Sequence, residues 1–304
     1  MIFKSTKLVL FGLMIKLLKN HPKIYQLFKK LYYVIQERNI YAYLTAPIRI
    51  LPDFIVIGVD KAGTSSLYHY LGKHPCIKRS SHDHLGFFDD NFRLGINWYK
   101  SYFPTVFTKY YVKSCEKYFM TYDVTATYIR RPWSATNILK TLPNIKLLVI
   151  LRNPIDRAYS DYNDRENSRK TNITFEDTIK EEIKMLEKEA NETGSREYDA
   201  SIMQKSVLAK GFYADQLKTW FNLFPKENIL ILLTEDFSIN PNKTFEEISN
   251  FLKLPNYNIK NFEKKNVGKY QKMNPETRKF LINYYKPYNE QLYKIVEKNF
   301  NWDK

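Results

Sequence analysis

The strongest constraint in this chain is one local pattern between residues 54 and 71. Phe54-Ile55-Val56-Ile57-Gly58 is short, apolar and rich in β-branched residues, as a buried strand requires. It runs into Val59-Asp60-Lys61-Ala62-Gly63-Thr64, and Ser65-Ser66-Leu67-Tyr68-His69-Tyr70-Leu71 then fits a helix ending near Gly72 and Pro75. A strand, a glycine loop and a helix form a unit whose backbone N–H groups can converge on phosphate oxygens. The triphosphate-binding version reads G-x-x-x-x-G-K-[ST], with the lysine directly after the second glycine. Here Gly58 and Gly63 keep that spacing, but Lys61 lies inside the loop and Thr64 stands in the lysine's place. A metal-dependent triphosphate site needs the G-K-[ST] end of the loop, so it is disfavoured. A shorter 5′ anionic tail, held by Lys61 and the amides of Ala62, Gly63, Thr64, Ser65 and Ser66, fits better. A plain strand-to-helix turn is the bland alternative.

Two further apolar runs repeat the strand signal. Lys146-Leu147-Leu148-Val149-Ile150-Leu151 precedes Arg152-Asn153-Pro154, and Asn228-Ile229-Leu230-Ile231-Leu232-Leu233 is closed by Thr234-Glu235-Asp236. Helical patterns cover 174–191, 209–224 and 243–252, the last with Thr244 and Glu247 spaced as a capping box. Continuous apolar strands alternating with helices predict an α/β fold: a central, mainly parallel sheet with helices on both faces. Residues 51–304 read as one such domain.

Residues 1–50 read as a separate basic, helical segment. The apolar run at 8–18 is interrupted by Gly12 and Lys16 and is well short of the roughly 20 residues a membrane span needs. Seven lysines and Arg38 against Glu37 suit helices lying on an anionic membrane surface, or equally helices packed on the domain itself. The whole chain carries a formal charge of +16, which favours anionic partners: a nucleotide, an acidic or sulfated glycan, nucleic acid or a membrane. No nucleic-acid motif accompanies that charge, so nucleic acid is discounted. Cys76 and Cys115 are the only cysteines, which argues against a disulfide framework and a structural zinc site. With no clear signal segment, the expected compartment is the cytoplasm, at its membrane face if the N-terminal segment binds lipid.

The second motif is Leu151-Arg152-Asn153-Pro154-Ile155-Asp156-Arg157-Ala158-Tyr159-Ser160-Asp161-Tyr162. Arg152 ends a strand, where open α/β sheets bind ligands, and Pro154 suits a helix start. An arginine with a nearby hydroxyl, Ser160, matches a monophosphate: one bidentate charged contact and one hydrogen bond. K-x-G-T-[ST]-x-L after the first strand with R-N-P-x-x-R-A-x-S-x-Y after a later one resembles the sulfotransferases. Their donor is 3′-phosphoadenosine 5′-phosphosulfate (PAPS), and the nearest branches are the carbohydrate sulfotransferases, bacterial ones and the heparan sulfate N- and 3-O-sulfotransferase domains included. The likeness runs from about Pro52 to Trp302 and takes in Gly211-Phe212-Tyr213-Ala214-Asp215-Gln216-Leu217 and Glu235-Asp236-Phe237. It implies a P-loop-like sulfotransferase fold needing no metal. It also places Lys61 and the loop amides on the 5′-phosphosulfate and Arg152 and Ser160 on the 3′-phosphate.

Sulfuryl transfer needs a general base within reach of the acceptor and a cation or N–H donor for the departing nucleotide oxygen. Lys61 is implied as that cation. The resemblance puts the base in a stretch like K-E-x-H-F-F-D, matched here by Asp83-His84-Leu85-Gly86-Phe87-Phe88-Asp89, so His84 replaces the family glutamate. Other sulfotransferase branches use a histidine. Asp83 is the second candidate, a loop without a base the third, and an extended segment would point Asp83 opposite to His82 and His84. The family's E-K-T-P-x-Y becomes Asp123-Val124-Thr125-Ala126-Thr127-Tyr128, so valine replaces a lysine, with Arg130 and Arg131 as candidate substitutes. Residues 264–270, with Gly268 and Lys269, resemble the loop that closes over the nucleotide, and Tyr213 is assigned either to the adenine site or to the core. Aromatic residues such as Tyr284, Tyr285 and Tyr288 are read as packing more than as a stacking platform.

The function implied is sulfuryl transfer from PAPS, releasing 3′-phosphoadenosine 5′-phosphate (PAP), to a hydroxyl or amine of an acceptor, most naturally a glycan. The rivals are a P-loop kinase and a non-catalytic module that binds an anionic glycan or nucleotide.

Overall fold

The computed structural model describes residues 40–170, 172–194, 198, 200–263 and 270–303. Five strands form one sheet: β1 (Phe54–Gly58), β2 (Ile77–Arg79), β3 (Met120–Val124), β4 (Lys146–Leu151) and β5 (Ile229–Leu233). Their order is β2-β3-β1-β4-β5 and every pairing is parallel. All five residues of β1 are buried, as are Leu147 to Leu151 of β4. Alternate side chains of a strand point to opposite faces, so burial of both sets means that both faces of the sheet are covered. The covering helices include α1 (Thr64–Leu71), α2 (Pro132–Thr141), α3 (Pro154–Arg169), α4 (Phe175–Thr193), α5 (Tyr213–Leu223), α6 (Pro241–Leu252) and α7 (Pro275–Val296). The α/β architecture expected from the sequence is the one observed.

The differences are local and have physical reasons. β3 has no apolar run, because Thr121 and Asp123 are buried within it. Thr121 is satisfied there: its amide donates to Asp53 Oδ2 at 2.7 Å and its hydroxyl to the Lys78 carbonyl at 2.5 Å. The start of α6 is set by Asn240, whose side chain accepts the Lys243 amide, with Pro241 in the first turn, and not by a Thr244–Glu247 box. α7 carries Pro287 in its interior. Tyr285 and Tyr288 on that helix are buried, and Tyr288 stacks on Phe212 with ring centroids 3.9 Å apart. They are packing.

β1 is the pivot of the topology. The chain leaves it to build β2 and β3 on one side, then crosses to build β4 and β5 on the other. The carboxyl ends of β1 and its neighbours therefore flank a crevice at the reversal of strand order, where α/β sheets bind ligands. Gly58 closes β1 because its backbone touches Ile129: a Cβ there would lie 2.5 Å from Ile129 Cγ2. Gly58→Ala is expected to destabilise the fold by about 1–3 kcal/mol, the cost of an overpacked core. An unchanged denaturation midpoint in urea would contradict that close approach.

Candidate functional site

The loop between β1 and α1 is shaped by its backbone. Lys61 and Gly63 take left-handed conformations, with φ of 68° and 88°. The Val59 amide is tied to the Ile150 carbonyl at 2.9 Å and the Ala62 amide to the Val59 carbonyl at 3.2 Å. Gly63 is the N-cap of α1 and offers no capping side chain. The helices α3, α4, α6 and α7 are each capped by an Asn or Thr side chain. First-turn amides have no partner inside their own helix, so this turn of α1 is built to meet acceptor atoms from outside the helix.

The second motif meets the first directly. Arg152 Nη1 donates to the Lys61 carbonyl at 2.9 Å. The Thr234 hydroxyl lies 2.6 Å from the Ala62 carbonyl and 2.8 Å from that of Leu151, bridging the loop to the end of β4. Asn153 caps α3 with its own side chain, and its amide donates to Glu235 Oε1 at 2.8 Å. On α3, Ser160 and Asp164 are four residues apart and share one face. Asp164 Oδ2 stands 2.6 Å from Lys61 Nζ, so that face, and Ser160 with it, is turned toward the loop. Lys61, Arg152 and Ser160, separated by up to 99 positions in the sequence, are thus neighbours at the carboxyl end of the sheet.

Beneath the loop lies a buried ionic network. Asp60 Oδ1 accepts from Arg130 at 2.9 Å, and Lys210 Nζ stands 3.4 Å from Asp60 Oδ2. Lys210 also reaches Asp161 at 3.0 Å, and Asp161 pairs with Arg157 at 3.4 Å and Arg165 at 3.0 Å. Burial alone would push the Asp60 carboxyl up, but Arg130 and Lys210 hold it below the ordinary carboxylate range. Arg157 and Lys210 do the same to Asp161. Four cations surround two carboxylates, and Nε of Arg130 and of Arg157 have no hydrogen-bond partner among the described residues. Surplus positive charge under a helix N-terminus with no side-chain cap favours an anion above it. The sequence hinted at this network only through Arg157 and Asp161, spaced one helical turn apart in the second motif.

The loop bearing His84 sits at the end of β3, beside β1. The His84 amide donates to the Val124 carbonyl at 2.7 Å, and its side chain is exposed. The segment is bent, with φ of 58° at His84 and 61° at Gly86, so the expected alternation of an extended strand does not apply. His82 leans on Tyr102, its ring 5.7 Å away, and Asp83 is exposed. What holds this loop is a fully buried carboxylate, Asp123. Tyr99 and Tyr128 donate to its Oδ2, each at 3.0 Å, and Thr125 donates to Oδ1 at 3.0 Å. The Tyr128 oxygen in turn accepts the amides of Phe87 at 2.8 Å and Phe88 at 3.3 Å, and the Thr125 oxygen accepts that of Gly86 at 3.3 Å. Burial pushes the Asp123 carboxyl up to about 6 against these hydroxyl donors, and the charge of Asp89 adds to the rise.

Val124 gives the loop its carbonyl and buries its side chain. Neither candidate substitute for the family lysine carries an uncommitted charge: Arg130 is bound to Asp60, and Arg131 pairs with Asp89 at 3.4 Å and with Asp90. Tyr213 is 1% exposed and its hydroxyl donates to the Arg152 carbonyl at 2.9 Å. Of its two assigned places it occupies the core, where it supports Arg152 and offers no open ring face. Gly268 and Lys269 lie outside the described residues, as does most of the basic N-terminal segment. Among the described residues no helix is long and apolar enough to cross a membrane.

Comparison with known proteins identifies the family. The family described as the sulfotransferase domain matches residues 51–291. The membrane-associated sulfotransferase kil1 of Dictyostelium discoideum is 30% identical over 319 residues, covering 83% of this chain and 66% of that protein. The human bifunctional heparan sulfate N-deacetylase/N-sulfotransferase 3 is 28% identical over 277 residues, covering 82% of this chain. The chain spans only 30% of the length of that human relative. Among solved structures, a sulfotransferase from Alicyclobacillus acidocaldarius superposes with a TM-score of 0.62 at 22% identity, covering 84% of this chain and 100% of its own. With the family match spanning most of the sequence and the fold shared, the chain belongs to the sulfotransferase domain family.

Proposed function

We propose that the protein transfers a sulfuryl group from PAPS to a hydroxyl or amine of a glycan. The observation that carries this reading is the union of two phosphate-type sites: the α1 N-terminus without a side-chain cap and Lys61 at the end of β1, with Arg152 and Ser160 at the end of β4. A 5′-phosphosulfate would lie against the N-terminal turn of α1, with the Ala62 amide already engaged by the Val59 carbonyl, and a 3′-phosphate against Arg152 and Ser160. Engaging Arg152 and Ser160 would favour a 3′-phosphorylated nucleotide over ATP. The surplus cations beneath the loop favour so highly charged a donor.

In this reading His84 accepts the acceptor's proton as its oxygen or nitrogen bonds to sulfur. The bond from sulfur to the bridging phosphate oxygen breaks, its electron pair stays on that oxygen, and Lys61 stabilises the charge. Lys61 must leave Asp164 to do so. Asp83, the second candidate base, lacks His84's anchored backbone. The loop departs from the triphosphate pattern at the lysine that would reach the β- and γ-phosphates, where Thr64 stands instead. A glycan acceptor is supported by the heparan sulfate relatives, and peripheral attachment to an anionic membrane by the amoebal relative's name and the basic N-terminal segment.

The test is label transfer from 35S-PAPS, in EDTA, to desulfated glycosaminoglycans. Labelled glycan is the expected outcome. PAP binding with no transfer to any glycan would favour a non-catalytic binding module.

A further inference from the structure

Among the described residues, four of the five most exposed large apolar side chains gather at the pole opposite the site, the exception being Ile239 on the helix that follows β5. Phe107, Tyr110 and Tyr111 are 68%, 70% and 71% exposed on the helix Val106–Glu116. Spaced three and four residues apart, they form one stripe. Tyr43, Leu44 and Ile48 are exposed on the short segment ahead of the sheet, with Leu44 at 72%. The two pieces are tied together: Arg49 bridges to Thr105, the Ile50 amide donates to the Pro104 carbonyl at 3.1 Å, and Lys100 Nζ donates to the Pro47 carbonyl at 3.3 Å. Both lie at the amino end of the strands. Asp53, immediately before β1, feels the charges of Lys109 and Lys113 from the helix. The phosphate loop and His84 stand at the carboxyl end, roughly 15–20 Å of strand away.

Two occupants compete for this face: the chain's own residues 1–39, or an anionic surface. Charge decides between them. The helix brings Lys109, Lys113 and Lys117 against Glu116, and residues 1–38 bring eight basic side chains against one acidic. Like charges disfavour folding the segment back onto the helix, whereas both are attracted to the same anionic surface. Exposed aromatic rings interleaved with lysines are also what the water–bilayer interface selects.

We propose that this pole docks on an anionic phospholipid bilayer, with the Phe107–Tyr110–Tyr111 stripe and Leu44 seated at headgroup level. The inference deepens the proposed peripheral membrane association and rests on it. Its consequence is orientation: the site faces away from the lipid, toward acceptors on the aqueous side.

The test is co-sedimentation of the full chain with phosphatidylcholine vesicles, without and with 30% phosphatidylserine, at low and physiological salt. Three proteins are compared: wild type, Phe107→Ser/Tyr110→Ser/Tyr111→Ser, and Lys109→Glu/Lys113→Glu. Wild type is expected to bind the phosphatidylserine vesicles in a salt-sensitive way, and both variants to bind roughly 10-fold or more weakly. Transfer to a soluble acceptor is expected to be unchanged in the variants. No binding of wild type to anionic vesicles would overturn the membrane association itself. Wild-type binding by both variants would keep association but overturn this docking face. The same binding with a lowered melting temperature in the triple-serine variant would identify residues 1–39, not lipid, as the cover.

Discussion

His84→Ala is expected to retain PAP binding while sulfuryl transfer falls by roughly 10²–10⁴-fold, the usual scale of general acid–base catalysis. The separation follows from position. His84 projects from the end of β3 and shares no contact with Lys61, Arg152 or Ser160, so the donor pocket survives its loss. Asp83 is the control. Asp83→Asn should leave turnover within a small factor of wild type, because that carboxylate is exposed on a loop whose anchored residue is His84. Wild-type turnover in His84→Ala, with collapse in Asp83→Asn, would exchange the two roles.

The second large effect is expected at a residue that touches no substrate. Asp123 orients three hydroxyl protons toward itself, leaving the oxygens of Tyr128 and Thr125 to accept the amides of Gly86, Phe87 and Phe88. Asp123→Asn offers one oxygen and one N–H group, so either Thr125 or the tyrosines must turn a proton away. The loop carrying His84 would then shift, and a misplacement of about an ångström can lower kcat by about 10²-fold. The buried charge of Asp123 adds a pH-dependent effect on stability. Because burial raises the carboxyl from 3.8 to about 6, the folded protein binds that proton more tightly than the unfolded chain. This group's contribution therefore falls as pH rises from about 4 to 6, and its buried charge is a cost at neutral pH. Asp123→Asn relieves that charge cost but loses a buried hydrogen bond, so the two effects offset in the melting temperature at pH 7.5 while kcat falls.

The pH profile separates positioning from mere packing. In the wild type, protonation of Asp123, whose carboxyl burial raises to about 6, contributes to the acid limb of kcat. In Asp123→Asn that contribution is lost and the limb should become shallower. An unchanged limb with normal kcat would remove Asp123 from the account.

The legibility of this protein in its sequence divides along physical lines. β1, its loop and α1 were readable because strand, glycine spacing and helix are all local signals, and the arginine motif at the end of β4 was readable for the same reason. β3 was not, because Thr121 and Asp123 break the apolar run and are tolerated only by partners on distant segments. The network joining Asp60, Arg130, Asp161 and Lys210 is likewise assembled from four separate stretches, and no spacing rule links them. His84 is proposed from likeness to a motif, and the left-handed turn that carries it depends on Val124, Thr125 and Tyr128 across the sheet edge. Tyr213, which the sequence left between the adenine site and the core, is buried, and its hydroxyl secures the carbonyl of Arg152.

The most direct test of the central claim is calorimetric titration with PAP in EDTA, and separately with magnesium ATP, for wild type and Arg152→Ala. The account predicts metal-independent binding of PAP by wild type. Loss of the charge-assisted contact should weaken it by roughly 10–100-fold in Arg152→Ala. Binding of magnesium ATP alone, or PAP binding indifferent to Arg152, would contradict the donor site proposed at the ends of β1 and β4.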